Sequence, residues 1–380
     1  MMYSISSYVA MAINDVRVDA YARALQRVVH PESFVVEIGT GRGAFAVMAR
    51  QLGARRVVAI ESGDAIAVAR RVARENGAAD IEFIQAHSQD VTLSERADVI
   101  VSDLRGMLPL YADRLRSIID ARERFLAPAG RLIPVADTLY AAVVQLSYAD
   151  RRRFPPHAPV RAVVVDPARF VTGTWDSMRF RPDQVVSRSE PWATIDYRTI
   201  AQTDICGHAS LEMLRDAPGD GLAIWFDANL LDGIGFSNSP RGPELVYSTA
   251  FFPWPDRVML RRGDKVKIRI DARQVAGDYV WQWQTTFDAL PPALPAFQQT
   301  KFYAVPWTSA KLARGLASHV PILSEDGEVE RYILDAMDGA TSSAEIAHRV
   351  VERFPRQFPH SSVALGRVGN IARRVCRLES

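Results

Sequence analysis

The 380-residue chain has only two cysteines, Cys206 and Cys376, too far apart for a metal knuckle and too few for a disulfide framework. They are expected to be reduced thiols of a cytoplasmic protein. The seven histidines show no metal-ligand spacing, so no metal is expected. Neither sign of charge is in excess: 46 Lys and Arg against 44 Asp and Glu leave +2, which gives no general case for nucleic acid or membrane as a partner. No apolar run approaches the ~18 residues of a spanning helix. Met1 to Ala12 lack a basic stretch followed by an apolar core, so no secretory signal is expected. Internal repeats and low-complexity tracts are missing as well. What is left is ordinary soluble composition, long enough for two or three domains.

Strand and helix signals alternate over residues 34–133. Phe34 to Ile38 is a short apolar run that stops at glycines, as a buried parallel strand does. Gly43 to Leu52 reads as a helix with Phe45, Met48 and Leu52 on one face. Arg56 to Ile60, Ile81 to Ile84, Asp98 to Val101 and Arg131 to Ile133 read as further strands. Between them, Asp64 to Glu75 forms a helix stopped by Asn76-Gly77, and Leu115 to Leu126 carries another apolar stripe. This is the pattern of a Rossmann-like, doubly wound α/β domain, which binds ligands beyond the C-terminal ends of its strands.

After residue 136 the texture changes. Short strand-like runs separated by turn clusters appear at Leu139 to Leu146, Arg161 to Val165, Gly221 to Phe226, Val258 to Leu260, Lys265 to Ile270 and Tyr279 to Thr286. They predict an antiparallel β-barrel or sandwich. Trp281 and Trp283 alternate with glutamines and read as one face of a strand. The expected division is 1–135, 136–290, a linker over 291–323 and a small helical, winged-helix-like domain over 324–380. In that last piece Thr341-Ser342-Ser343 supplies a helix N-cap. A packing or dimer module, a peptide-recruiting module and a DNA-binding module are its three readings, in that order.

The central motif is Glu37-Ile38-Gly39-Thr40-Gly41-Arg42-Gly43, followed eighteen residues beyond Gly43 by Glu61. Glycines at a strand-to-helix turn let backbone approach a ligand closely. Glu61, with Ser62 beside it, stands where a ribose diol would be gripped. Glu37 would repel the pyrophosphate of a dinucleotide but suits a cationic methionine end. Gly43-Ala44 also departs from the dinucleotide spacing. These residues point to S-adenosylmethionine as cofactor, and so to a methyltransferase.

The same residues resemble the protein arginine methyltransferases and their bacterial relatives. The resemblance runs from Met11 and Asn14-Asp15-Val16-Arg17 with Tyr21, through Val36 to Gly41 and Gly53 to Glu61, into Asp98 to Asp103 and Ala121 to Pro128. It covers roughly residues 8–290. It implies that Met11 lies in a helix closing over the cofactor, that Arg17 pairs with the cofactor carboxylate, and that Gly39 and Gly41 line its methionine end. It further implies that Glu61 holds the ribose and that Ser88 and Gln89 meet the adenine edge. A homodimer is implied too, with its arm falling in residues 185–215.

The departures concern the acceptor. Of the two glutamates that clamp a guanidinium in that family, the first aligns with Asp103 and the second with Ala112, which accepts no hydrogen bond. Asp113, next door, is a possible replacement. Arg105 adds a cation two residues after Asp103; at 4 Å it would oppose an arginine substrate by ~4 kcal/mol at an effective dielectric near 20. Two roles stay open for Arg105: recognition of an anionic group on the acceptor, or a salt bridge to Asp103 that shapes the loop. The family's Thr-His-Trp loop falls near Glu244 to Tyr247, where no histidine stands. The expectation is therefore a methyl acceptor, small molecule or peptide, that is not a plain arginine guanidinium, with Asp103 and Arg105 at the reacting centre. Arginine methylation by a rebuilt acidic clamp, and a catalytically silent binding protein, are the alternatives.

Overall fold

The computed structural model describes residues 15–151, 173–275, 277–288, 296–303, 313–314 and 318–376. The chain divides into two compact units, Met1–Thr308 and Ser309–Ser380.

The first unit opens with helix α1 (Asp15–Val28), followed by five parallel strands: β1 (Phe34–Ile38), β2 (Arg56–Ile60), β3 (Glu82–Ile84), β4 (Ala97–Ser102) and β5 (Leu126–Ile133). Their order in the sheet is β3-β2-β1-β4-β5. All five residues of β1 are buried, because helices cover both faces of the sheet. Those helices are α2 (Ala44–Gln51), α3 (Ala65–Glu75) and α4 (Arg114–Phe125). Gly77, at φ +70°, ends the turn after α3, as the Asn-Gly signal foretold.

The register sets the site. Glu37 pairs with Ala59 on one side and Val101 on the other, Ile38 with Ile60 and Ser102. Glu61 and Asp103 follow directly on β2 and β4, so Glu37, Glu61 and Asp103 emerge together at the C-terminal edge of the three central strands. Neighbouring loops diverge there and leave a crevice.

Two antiparallel sheets complete this unit. One has the order β7-β12-β10-β6-β8, with β11 on β10; the other is β15-β14-β13-β9. Their strands are β6 (Ala136–Val144), β7 (Asp176–Met178), β8 (Glu190–Asp196), β9 (Ile205–Glu212), β10 (Ala217–Leu231), β11 (Ile234–Ser237), β12 (Thr249–Leu260), β13 (Lys265–Val275), β14 (Asp278–Asp288) and β15 (Phe297–Thr300). Trp281 and Trp283 point inward from β14 and meet Phe252 of β12 edge-on, with ring centroids 5.6 and 4.9 Å apart. These rings join the two sheets, and edge-to-face packing suits their quadrupoles.

Two expectations are corrected here. Phe297–Thr300, placed in a linker by its neighbouring prolines, pairs with β14 and extends the sheet. Residues 185–215, expected to project as an arm, supply β8 and β9 instead. The C-terminal unit contains helices α5 (Glu325–Asp335), α6 (Ser343–Arg353) and α7 (Ser361–Val375), in keeping with its helical periodicity, and no strand of a wing accompanies them among the described residues. Val329, Ile333, Ile346, Val350, Val368 and Ile371 form its core. Ser342 caps α6 by accepting the Glu345 N–H. Arg374, on α7, is paired with Glu330. The run Arg161 to Val165 lies outside the described residues. No helix is long and apolar enough to cross a membrane among the described residues.

Candidate active site

The turn between β1 and α2 is built on glycines at positive φ: Gly39 at +73°, Gly41 at +54° and Gly43 at +78°. A side chain at Gly39 would be strained by that angle, and its Cβ would also come within 2.2 Å of the Leu104 side chain. Gly39 is therefore needed for the loop after β4 to close down on the turn. Glu61 fixes the other side. Its Oε2 accepts the Gly41 N–H and its Oε1 the Gly63 N–H, both at 2.9 Å, which leaves each oxygen one further lone pair toward the crevice.

Glu37 sits beneath this turn, almost wholly buried. Its Oε2 accepts the Thr40 hydroxyl at 2.5 Å and the Ala46 N–H at 2.8 Å. Burial outweighs both bonds and pushes the carboxyl up to about 8. At neutral pH it is largely protonated until a cation approaches.

Helix α1 is pinned over the site. The Tyr21 ring stacks on Phe45 of α2 at 4.2 Å, and its hydroxyl donates to the Ser102 carbonyl at 2.8 Å. One turn earlier, Arg17 pairs with Asp103 Oδ2. Tyr247 donates to that same oxygen at 2.8 Å, and Arg105 Nη1 donates to Oδ1 at 3.0 Å. Burial works against the charge of Asp103, but the two guanidiniums and the Tyr247 hydroxyl hold its carboxyl below the usual carboxylate range. Behind it lies a second carboxylate. Asp137, at the start of β6 and fully buried, takes Arg105 Nε at 2.8 Å, Arg105 Nη2 at 2.7 Å and the Tyr197 hydroxyl at 2.6 Å. Arg105 Nη1 also reaches the Tyr21 hydroxyl at 2.8 Å. Two carboxylates, two guanidiniums and three tyrosines thus form one charge-balanced network.

Around these groups is a cavity of about 540 Å³ lined by residues that include Arg17, Glu37, Gly39, Gly41, Glu61, Ser62, Ser88, Asp103, Ala112, Arg114 and Tyr247. Most of the residues expected at the site are therefore brought together. Gln89 is not: it is exposed and does not line the cavity, whereas Ser88 beside it is buried and does. Met11 lies outside the described residues. For Arg105 the choice is between reading an anionic group on the acceptor and shaping the loop. Asp137, Asp103 and Tyr21 engage it from all sides and its side chain is 3% exposed, so the loop-shaping role is the one the geometry supports. Tyr247, in the segment where the family's histidine is absent, donates its hydroxyl to Asp103. Asp137 and Tyr197 were missed, although Asp137 shares its inward register with Leu139, Ala141 and Val143. A carboxylate on a buried face demands a partner.

Comparison with known proteins places this geometry. The family model described as Ribosomal protein L11 methyltransferase (PrmA) matches residues 21–134, the parallel-sheet domain. Protein arginine N-methyltransferase PRMT10 of Oryza sativa subsp. japonica is 37% identical over 308 residues, covering 68% of this chain and 78% of the relative. Protein arginine N-methyltransferase 1 of Dictyostelium discoideum is 22% identical over 279 residues, covering 69% and 80%. Among solved structures, the Trypanosoma brucei PRMT1 enzyme–prozyme complex with AdoHcy superposes with a TM-score of 0.71 at 19% identity, over 77% of this chain and 96% of that one. Arabidopsis thaliana protein arginine methyltransferase 10 gives 0.69 at 20% identity, over 78% and 97%. At 37% identity over 78% of the rice relative, the chain belongs to the protein arginine N-methyltransferase family of S-adenosylmethionine-dependent methyltransferases.

Proposed function

We propose that this chain methylates an acceptor other than a plain arginine guanidinium, a small molecule or a peptide side chain. The residues of the crevice fit S-adenosylmethionine. Glu61 has a free lone pair on each oxygen for a ribose diol, and Ser88 stands at the adenine end. Gly39 and Gly41 pass their backbone along the methionine end, and Arg17 on α1 faces its carboxylate. Buried Glu37, proton-bearing when the site is empty, ionises beside the cofactor's cationic groups. When bound, S-adenosylmethionine supplies a methyl on a sulfonium, electrophilic enough that alignment with a nucleophile provides most of the acceleration. The protein's task is then to hold the acceptor in line and keep water out.

One observation carries the choice of acceptor. Asp103, at the position of the first clamp glutamate, is already occupied by Arg17, Arg105 and Tyr247. The second position is Ala112. A guanidinium entering here would find no open carboxylate pair, and would add charge to a balanced network. Asp113 favours a second reading, arginine methylation with a rebuilt clamp, because it also lines the cavity. Against it, Gln274 Nε2 holds Asp113 Oδ1 at 2.7 Å on the open side of the loop.

The test is incubation with methyl-labelled S-adenosylmethionine and an arginine-containing peptide, then acid hydrolysis. No methylarginine above the enzyme-free control is expected. Steady accumulation of methylarginine would replace this proposal with the second reading.

A further inference from the structure

Four arginines line the cavity: Arg17, Arg42, Arg105 and Arg114. Arg17 and Arg105 are neutralised by Asp103 and Asp137. Arg42 belongs to the glycine turn. Arg114 differs from all three. It is the first residue of α4, two positions after Ala112, where the loop following β4 borders the crevice. Its side chain has no ion pair or hydrogen bond among the described residues, and its Nε is enclosed with no acceptor. The guanidinium lies over the Tyr111 ring, 5.3 Å from the centroid. Tyr111 is itself packed on Gly106, where an added Cβ would come within 3.1 Å of the ring. Arg114 is therefore held on a fixed aromatic platform, which pre-orients its fork at little entropic cost.

We infer that Arg114 is the docking point for a carboxylate on the methyl acceptor. The enclosed Nε–H without an acceptor is a costly arrangement for a folded chain, and an arriving anion relieves it. Arg114 also borders a narrow crevice that buried Arg105 lines. Of the acidic groups nearby, Asp103 is filled, and Asp113 is drawn toward Gln274 Nε2 at 2.7 Å and Arg116 Nε at 3.8 Å. One planar guanidinium matches one carboxylate in charge and in fork geometry, whereas a phosphate dianion would leave a charge over. This inference rests on the preceding reading that the acceptor is not an arginine, and it assigns to Arg114 the anion-reading role that is one of the two left open for Arg105 by the sequence.

The test uses the full chain saturated with S-adenosylhomocysteine, titrated calorimetrically with three probes: N-acetylglutamate methylamide, N-acetylarginine methylamide and inorganic phosphate. The glutamate probe is expected to bind the unaltered protein, at least tenfold more weakly after Arg114→Gln, and with intermediate affinity after Arg114→Lys. S-adenosylhomocysteine affinity, expected to be equal in all three proteins, reports an intact site; if Arg114→Gln loses it, Arg114→Lys alone decides. Equal binding of the glutamate probe with and without Arg114, or no binding to the unaltered protein, overturns the inference. Phosphate binding in preference to the carboxylate overturns its ligand class. Binding of the arginine probe instead overturns the function proposed above, and does so whatever the Arg114 variants show.

Discussion

Replacing Asp137 with alanine removes the acceptor of three hydrogen bonds at once, two from Arg105 and one from Tyr197, all between 2.6 and 2.8 Å. Arg105 is then left buried, with Asp103 as its only carboxylate partner. Breaking one side of a buried pair in this way costs about 3–5 kcal/mol, because the remaining charge is uncompensated. At about 2 °C per kcal/mol for a unit of this size, the midpoint should fall by roughly 6–10 °C. Replacing the whole group by apolar residues, as Arg105→Met, Asp137→Ala and Tyr197→Phe together, removes the charge along with its partner. That combination should recover most of the loss, giving a coupling of about 2 kcal/mol or more. All seven tryptophans fall at or before residue 307, so their fluorescence during denaturation reports the first unit by itself. Additive losses, with the combined variant the least stable of the set, would refute the view of these residues as one network.

Other consequences can be measured separately. Glu37, raised to about 8 by burial, must give up its proton when a cationic cofactor binds. Affinity should therefore rise up to tenfold per pH unit between about 6 and 8 and then level off, with Glu37→Gln weaker and flat; calorimetry at pH 7 in buffers of different ionisation heat would expose the released proton, and heats independent of buffer would contradict this. Because the folded value lies above the ordinary one of 4.5, the same group makes the cofactor-free protein less stable as pH climbs from about 4.5 to 8, a trend that Glu37→Gln should remove. Gly39→Ala forces a non-glycine residue to φ +73° and a clash with Leu104; the angle alone costs about 1–2 kcal/mol, and cofactor affinity should drop at least tenfold in a binding titration. Tyr247→Phe keeps the ring contacts with Phe226 and Phe236 but removes the donor to Asp103, so denaturation should show a loss of about 1–3 kcal/mol; an unchanged midpoint would mean the hydroxyl is not needed to hold that carboxylate.

What the sequence disclosed and what it hid follow from the reach of each signal. The parallel sheet was legible because its strands are buried on both faces and end at glycines, so local composition suffices. Arg56–Ile60 matches to the residue. Phe297–Thr300 was hidden because its strand character comes from pairing with β14, not from its own proline-flanked segment. Strands β8 and β9 were likewise masked by polar residues on their outer faces. At the site, Glu37, Gly39, Gly41 and Glu61 were legible as a spaced motif running from β1 and its turn to the end of β2. The network was not, because its members come from residues 17, 21, 103, 105, 137, 197 and 247. Only the fold shows that Asp137 of β6 and Tyr197 after β8 meet Arg105. The unpaired state of Arg114 is a property of its surroundings, and no local pattern announces it.

The most direct test of the cofactor site is a calorimetric titration of S-adenosylmethionine into the unaltered protein and into Glu61→Gln. Glu61 accepts two backbone N–H groups and is assigned two ribose hydroxyls, so loss of its charge should weaken binding by about ten- to a hundredfold, the worth of one or two charge-assisted hydrogen bonds. One-to-one binding that falls by this factor is the predicted result. No binding to the unaltered protein, or equal affinity for both proteins, would contradict the placement of the cofactor in this crevice.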